Sequence, residues 1–167
     1  MRSEADLDAV PALARWFHFM AGIMWVGLLY YFNFVQMAAL KSAAADGSAA
    51  AINRHVAPLA LFWFRWAALA TWVTGAALLG KHFTAAFTLQ PGHLAIGIGS
   101  WLGTIMLINV WGLLWPAQKR ALGLIEATDA EKNAARRRAF LVSRLNLALS
   151  FPLLFFMGAG AHSAIYF

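Results

Sequence analysis

Polar and apolar positions alternate along this chain in blocks rather than residue by residue. Four stretches run almost without charge for about 20 residues or more, the length a helix needs to cross a bilayer. They predict spans at about 11–38, 58–79, 93–115 and 139–162. Pro11 suits the first turn of the first span, where its missing N–H costs nothing. The intervening text is short and polar or small: "KSAAADGSAAAINRH" after span one, and "AQKRALGLIEATDAEKNAARRR" after span three. Within the latter, "TDAE" from Thr128 to Glu131 is a capping box that predicts a helix start. Pro116 and Pro152 fall in helical text, and Pro152 frees the carbonyl of Ala148. "GSWLG", from Gly99 to Gly103, is a small-xxx-small pair that lets another helix approach closely. The expected fold is an all-α integral membrane four-helix bundle in a single domain.

Composition agrees with the block pattern. The chain is 62% hydrophobic and 12% charged, against roughly 45–50% apolar and about 25% charged in a soluble domain. It has no cysteine, which removes disulfides, thiolate metal sites and the C-x-x-C-H attachment of c-type haem. Glu4, Asp6 and Asp8 precede the first apolar block, whereas a signal peptide begins basic, so that block is expected to stay as a span. The formal charge of +6 changes the picture by its position. Lys119, Arg120, Lys132 and Arg136–Arg138 follow span three, and Lys41 and Arg54 follow span one. Basic residues gather on the cytoplasmic side of membrane proteins. The two linkers are therefore expected inside and both termini periplasmic, in a bacterial inner membrane. The arginine run then reads as a topology signal and an anionic-lipid contact, and no nucleic-acid partner is expected.

With that orientation, the polar residues fall at two depths. His18, His93 and His162 lie near the periplasmic ends of three different spans, and His82 lies in the loop between spans two and three. Neutral imidazoles in a bundle interior are good axial ligands for haem iron. Gly22 stands one helical turn beyond His18 on the same face, offering a bare shelf for a flat ring, with Trp25 and Phe32 extending that face. His18 is the expected first iron ligand of a haem b, with His162 or His93 as the second; equally, these could be interfacial histidines, His18 bonded to a carbonyl or to water. The opposite layer holds Asn33, Gln36, Arg65 about two turns into span two, Asn109, Arg144 and Asn146. Arg65, Asn109, Arg144 and Asn146 could cradle a flat, acceptor-rich anion or a quinone head group; they could equally be an interhelical clamp. No phosphate loop, nucleophile elbow or H-E-x-x-H motif is present.

The segments "WFHFMAGIMWVGLLYYF", "LFWFRWAALATWVTGAALL", "GTIMLINVWGLLWPAQK" and "SRLNLALSFPLLFFMGAGAH" resemble, in order, parts of the membrane domain of bacterial urate hydroxylases. The sharpest points of resemblance are Asn109-Val110-Trp111 with Pro116 and Gln118, and Ser143-Arg144 with Asn146, Pro152 and His162. The resemblance is to a short stand-alone form without the cytochrome c tail. It implies a membrane redox protein that passes electrons to quinone or a cytochrome, with the Arg/Asn layer on the purine and the histidines on a haem. Three functions follow as expectations. The first is a haem b-binding or accessory subunit of an inner-membrane electron-transfer complex, with a larger redox complex or a periplasmic cytochrome as partner. The second is a urate hydroxylase-type oxidoreductase. The third is a cofactor-free structural subunit.

Overall fold

The computed structural model describes the backbone of residues 4–162 and the side chains of 12–45 and 47–159. Among the described residues every regular element is helical. Helix α1, Glu4–Tyr30, passes through a π-helical turn, Tyr31–Gln36, into α2, Met37–Asp46. The short α3, Ala49–Ala51, and a second π turn, Ile52–Val56, lead into α4, Ala57–Leu79. A 3-10 turn, Gly80–His82, and α5, Phe83–Phe87, form the hairpin to α6, Leu94–Ile108. A third π turn, Asn109–Leu114, joins α6 to α7, Trp115–Ala121; α8 then runs from Asp129 to His162. Four of these continuous stretches are long and apolar enough to cross a membrane. The chain is thus an all-α, multi-pass membrane bundle.

The helices outrun the apolar blocks. The first linker was expected as a loop, but its run of alanines, the best helix formers, carries helix through Asp46. Only Gly47, in the left-handed region at φ 79°, turns the chain before helix resumes at Ala49. Pro116 does not break its helix. It falls just past the π turn, and α7 continues through it to Ala121. Pro152 lies inside an unbroken α8. The capping box forms as the sequence implies: the Thr128 N–H donates to the Glu131 carboxylate at 2.7 Å, and the Glu131 N–H to the Thr128 hydroxyl at 3.3 Å.

Spans apolar on every face gain little from burying hydrocarbon against one another in lipid, so close packing and polar pairs must hold the bundle. The contacts show both devices. Span one packs antiparallel on span two, where α4 presents Ala67, Ala68 and Thr71. Span three packs antiparallel on span four, where Gly99 meets Met157 and Gly103 meets Leu153. Between these pairs, the Trp72 indole N–H donates to Thr104 at 2.8 Å, and the Ser150 hydroxyl to Tyr30 at 3.3 Å. The core is Trp25, Leu29, Phe64, Met106, Val110, Leu114 and their neighbours. Large side chains such as Phe17, Ile23, Trp63, Ile108 and Phe155 stay outside it, on the surface lipid would cover. One end of the bundle carries both long linkers and most of the basic residues; the other carries His18 and the α5 hairpin.

Candidate functional site

At the hairpin end, His18 lies half-buried in the seam between α1 and α4. Its Nδ1 is 2.9 Å from the Thr71 carbonyl oxygen and 3.2 Å from the Thr74 hydroxyl. A carbonyl can only accept, so Nδ1 carries the hydrogen and the lone pair of the neutral ring is on Nε2. Nε2 has no hydrogen-bond partner among the described residues and is not one of their buried unpaired atoms. The ring fits because residue 75 is glycine: a Cβ there would stand 2.9 Å from Cε1 and 3.3 Å from Nδ1. Thr74 is itself anchored, donating to the Ala70 carbonyl at 2.6 Å. "TWVTG", Thr71 to Gly75, therefore forms a shaped socket for one imidazole.

The rest of the expected haem face is arranged differently. Gly22 is not an open shelf: a Cβ there would touch the Thr71 methyl at 3.7 Å, so α4 already covers it. Trp25 is 2% exposed and Phe32 packs edge-on against Phe64, with both rings filling the α1–α4 interface. His93 does not join His18. Its Nε2 pairs with His82 Nδ1 at 3.1 Å, because the turn after α5 folds residue 82 back over the start of α6. The His162 side chain lies outside the described residues. Among the described residues, no three metal-ligating side chains come together.

The second polar layer also resolves into separate parts. The Asn109 amide donates to Asn146 Oδ1 at 2.8 Å, and the Asn146 amide to the Met106 carbonyl at 3.2 Å. Asn146 is wholly buried. One turn along, the Asn33 amide donates to the Leu29 carbonyl at 2.8 Å and to Ser143 at 2.9 Å. Both asparagines of the odd-numbered spans fall in π turns. Such turns place side chains where an α-helix would not and recur at functional sites. Arg65 does not point into this layer; its guanidinium carbon lies 3.9 Å from the centre of the Trp115 ring. Arg144 is exposed on the outer flank of α8, over Phe140 at 5.4 Å. The expected cradle of Arg65, Asn109, Arg144 and Asn146 is thus an amide pair in the core and two arginines stacked on separate aromatic rings. Arginines this near a span end reach for the interface, while amides in hydrocarbon seek each other.

No family model, curated protein or solved structure matches this chain.

The amide pair has a measurable role. Replacing Asn146 with alanine strands the Asn109 amide, and is expected to cost about 1–3 kcal/mol. Replacing both asparagines with leucine removes the stranded groups together and should recover part of that loss. A double-mutant cycle of Asn109→Ala, Asn146→Ala and their combination, read by unfolding in mild detergent, gives the coupling. If the single and double variants were additive, the two amides would be acting independently.

Thr71, Thr74, Gly75, His82, Ser143 and Ser150 were absent from the sequence-based site. The first three had a usable signal: two threonines and a glycine within five residues of span two, level with His18 of span one. Ser143 entered only through the resemblance, and Ser150 carried no signal, since serine is common in spans without any site.

Proposed function

We propose that the chain is a membrane subunit of a bacterial inner-membrane redox complex, with His18 as the anchor for haem b. The observation that carries this reading is the state of the imidazole. Metal-bound histidines commonly donate their other ring N–H to a carbonyl, which fixes the tautomer and aims the free nitrogen. His18 has that arrangement: Nδ1–H is held on the Thr71 carbonyl, and Nε2 has no hydrogen-bond partner among the described residues. Bound haem b supplies one-electron transfer. The chain's own residues hold the ring nitrogen in place through Thr71 and Thr74 and clear the space it needs through Gly75. His93 is committed to His82, so any second histidine to hold the haem would be His162 or one from another subunit.

The positive-inside bias of the linkers supports placing the His18 end on the periplasmic side, within reach of a periplasmic cytochrome. Urate chemistry, which the sequence resemblance implies, draws less support from the side chains. The buried amides are bonded to each other, and Arg144 faces away from them.

The test is optical. Protein purified in mild detergent should show Soret and α bands in a dithionite-reduced minus oxidised spectrum. His18→Ala should lose them, whereas Gly22→Ala should keep them, because its added methyl makes only an ordinary contact with Thr71. A parent protein without those bands, even after haem is supplied, would leave a colourless scaffold as the better reading. So would a His18→Ala variant with an unchanged spectrum.

A further inference from the structure

The outer face of α8 carries a pattern that the redox reading does not use. Along this helix, Ala135, Ala139, Val142, Asn146, Ser150 and Leu153 are buried. The opposite stripe, at helical spacing, is Asn133, Arg137, Leu141, Arg144, Ala148 and Phe151, all exposed. Near the basic end, Asn133, Ala134, Arg137, Arg138, Leu141 and Val142 line one shallow groove. The stripe is therefore basic in its first turns and apolar below, apart from Arg144.

The three consecutive arginines are not equivalent. Arg136 donates to Asn133 Oδ1 at 2.9 Å. Arg137 and Arg138 have no hydrogen-bond or ion-pair partner among the described residues, where Lys132 with Asp129 is the one ion pair. Arg144 extends the same cluster from below. Side chains on a helix lean toward its N-terminus, and the N-terminus of α8 lies at the basic end. The guanidinium of Arg144 accordingly lies over Phe140, one turn back in that direction. Three guanidiniums thus share one flank at the basic end, with no acid paired to them among the described residues and an apolar surface directly beneath.

We propose that this flank of α8 is a binding site for one anionic glycerophospholipid. Arg137 and Arg138 take the phosphodiester, with Arg144 reaching it from below, and an acyl chain lies along Leu141, Ala148 and Phe151. Guanidiniums suit phosphate oxygens because their N–H groups form a planar fork. A soluble anion would use the charges but not the apolar strip, and it is the strip that selects a lipid. This inference is independent of any haem at His18.

The experiment uses the full chain in mild detergent, titrated with phosphatidylglycerol or with phosphatidylcholine of the same acyl chains. Bound lipid is counted by native mass spectrometry. The parent should retain phosphatidylglycerol preferentially. A basic side chain beside an anionic headgroup changes affinity roughly fivefold, so the double variant Arg137→Gln/Arg138→Gln should lose roughly 25-fold in that preference. Arg144→Gln alone should lose roughly fivefold. The control Arg54→Gln/Arg120→Gln removes the same charge at the same end and should keep the preference. All the substituted arginines are exposed, so melting in lipid-free detergent should not change. Equal retention of the two lipids would overturn the site. So would an equal loss in the control, which would mean bulk charge attraction, or displacement of the lipid by inorganic phosphate, which would mean an anion site.

Discussion

Gly97→Ala is expected to destabilise the bundle by about 3 kcal/mol, the upper end of the usual cost of forcing an atom into a packed interior. A Cβ at residue 97 would overlap the Ala86 carbonyl oxygen and come within 2.8 Å of Leu89 Cδ2. The first obstacle is backbone and cannot rotate away. It belongs to the hairpin that α5 makes against α6, which is pinned on both sides of the contact. The Trp101 indole N–H donates to the Phe87 carbonyl at 3.0 Å, and the Leu89 N–H to the Ala86 carbonyl at 3.1 Å. Leu89 already holds a positive φ of 55°, so the turn has little freedom left to yield. Thermal unfolding in mild detergent should show the loss clearly beside Gly112→Ala, where an added methyl meets nothing. Equal melting of the two variants would mean that the hairpin can move off α6 at little cost.

With His18 as the proposed haem anchor, Gly75→Ala is expected to weaken haem binding by about 10–100-fold while leaving the bundle folded, the range seen when the group that orients a metal-bound histidine is lost. The added methyl would stand 2.9 Å from His18 Cε1. Here the obstacle is a side chain, which can swing out, so the cost falls on the imidazole and not on the helix pair. Swinging out breaks the 2.9 Å hydrogen bond to the Thr71 carbonyl and releases the tautomer it fixes. Haem titration of the apoprotein, followed at the Soret band, measures the affinity. A variant that bound as tightly as the parent would show that His18 does not need its socket, and would separate the role of Thr71 from that of the ring.

The sequence was informative where the physical signal runs along the chain and weak where it runs around a helix. Uninterrupted apolar length marks a span whatever the packing, so four spans and their order were legible. Depth is also a linear quantity, and Asn109 and Asn146 do meet at one level. Direction was not legible. A helix that is apolar on all sides has no polar face to distinguish lipid from neighbour, so the side of span one bearing His18, Gly22 and Trp25 could be read as open when α4 covers it. The same blindness placed Arg144 among the amides although it lies on the opposite flank of its helix. His93 shares a level with His18, but a histidine only 11 positions away claims it first. The three π turns were not anticipated from the sequence, which offers no periodicity to mark them.

The π turn at Asn109–Leu114 has a consequence for everything that follows it in span three. A π turn accommodates one more residue than an α-helix does in the same rise, and each α-helical residue advances about 100° around the axis. Shortening that stretch by a single residue would rotate α7 by about a quarter of a circle. Ala117, now buried, would swing off its neighbours, and Trp115 with it would leave the Arg65 guanidinium on α4. The azimuth of the basic end is therefore set upstream of it, in the turn that opens on Asn109.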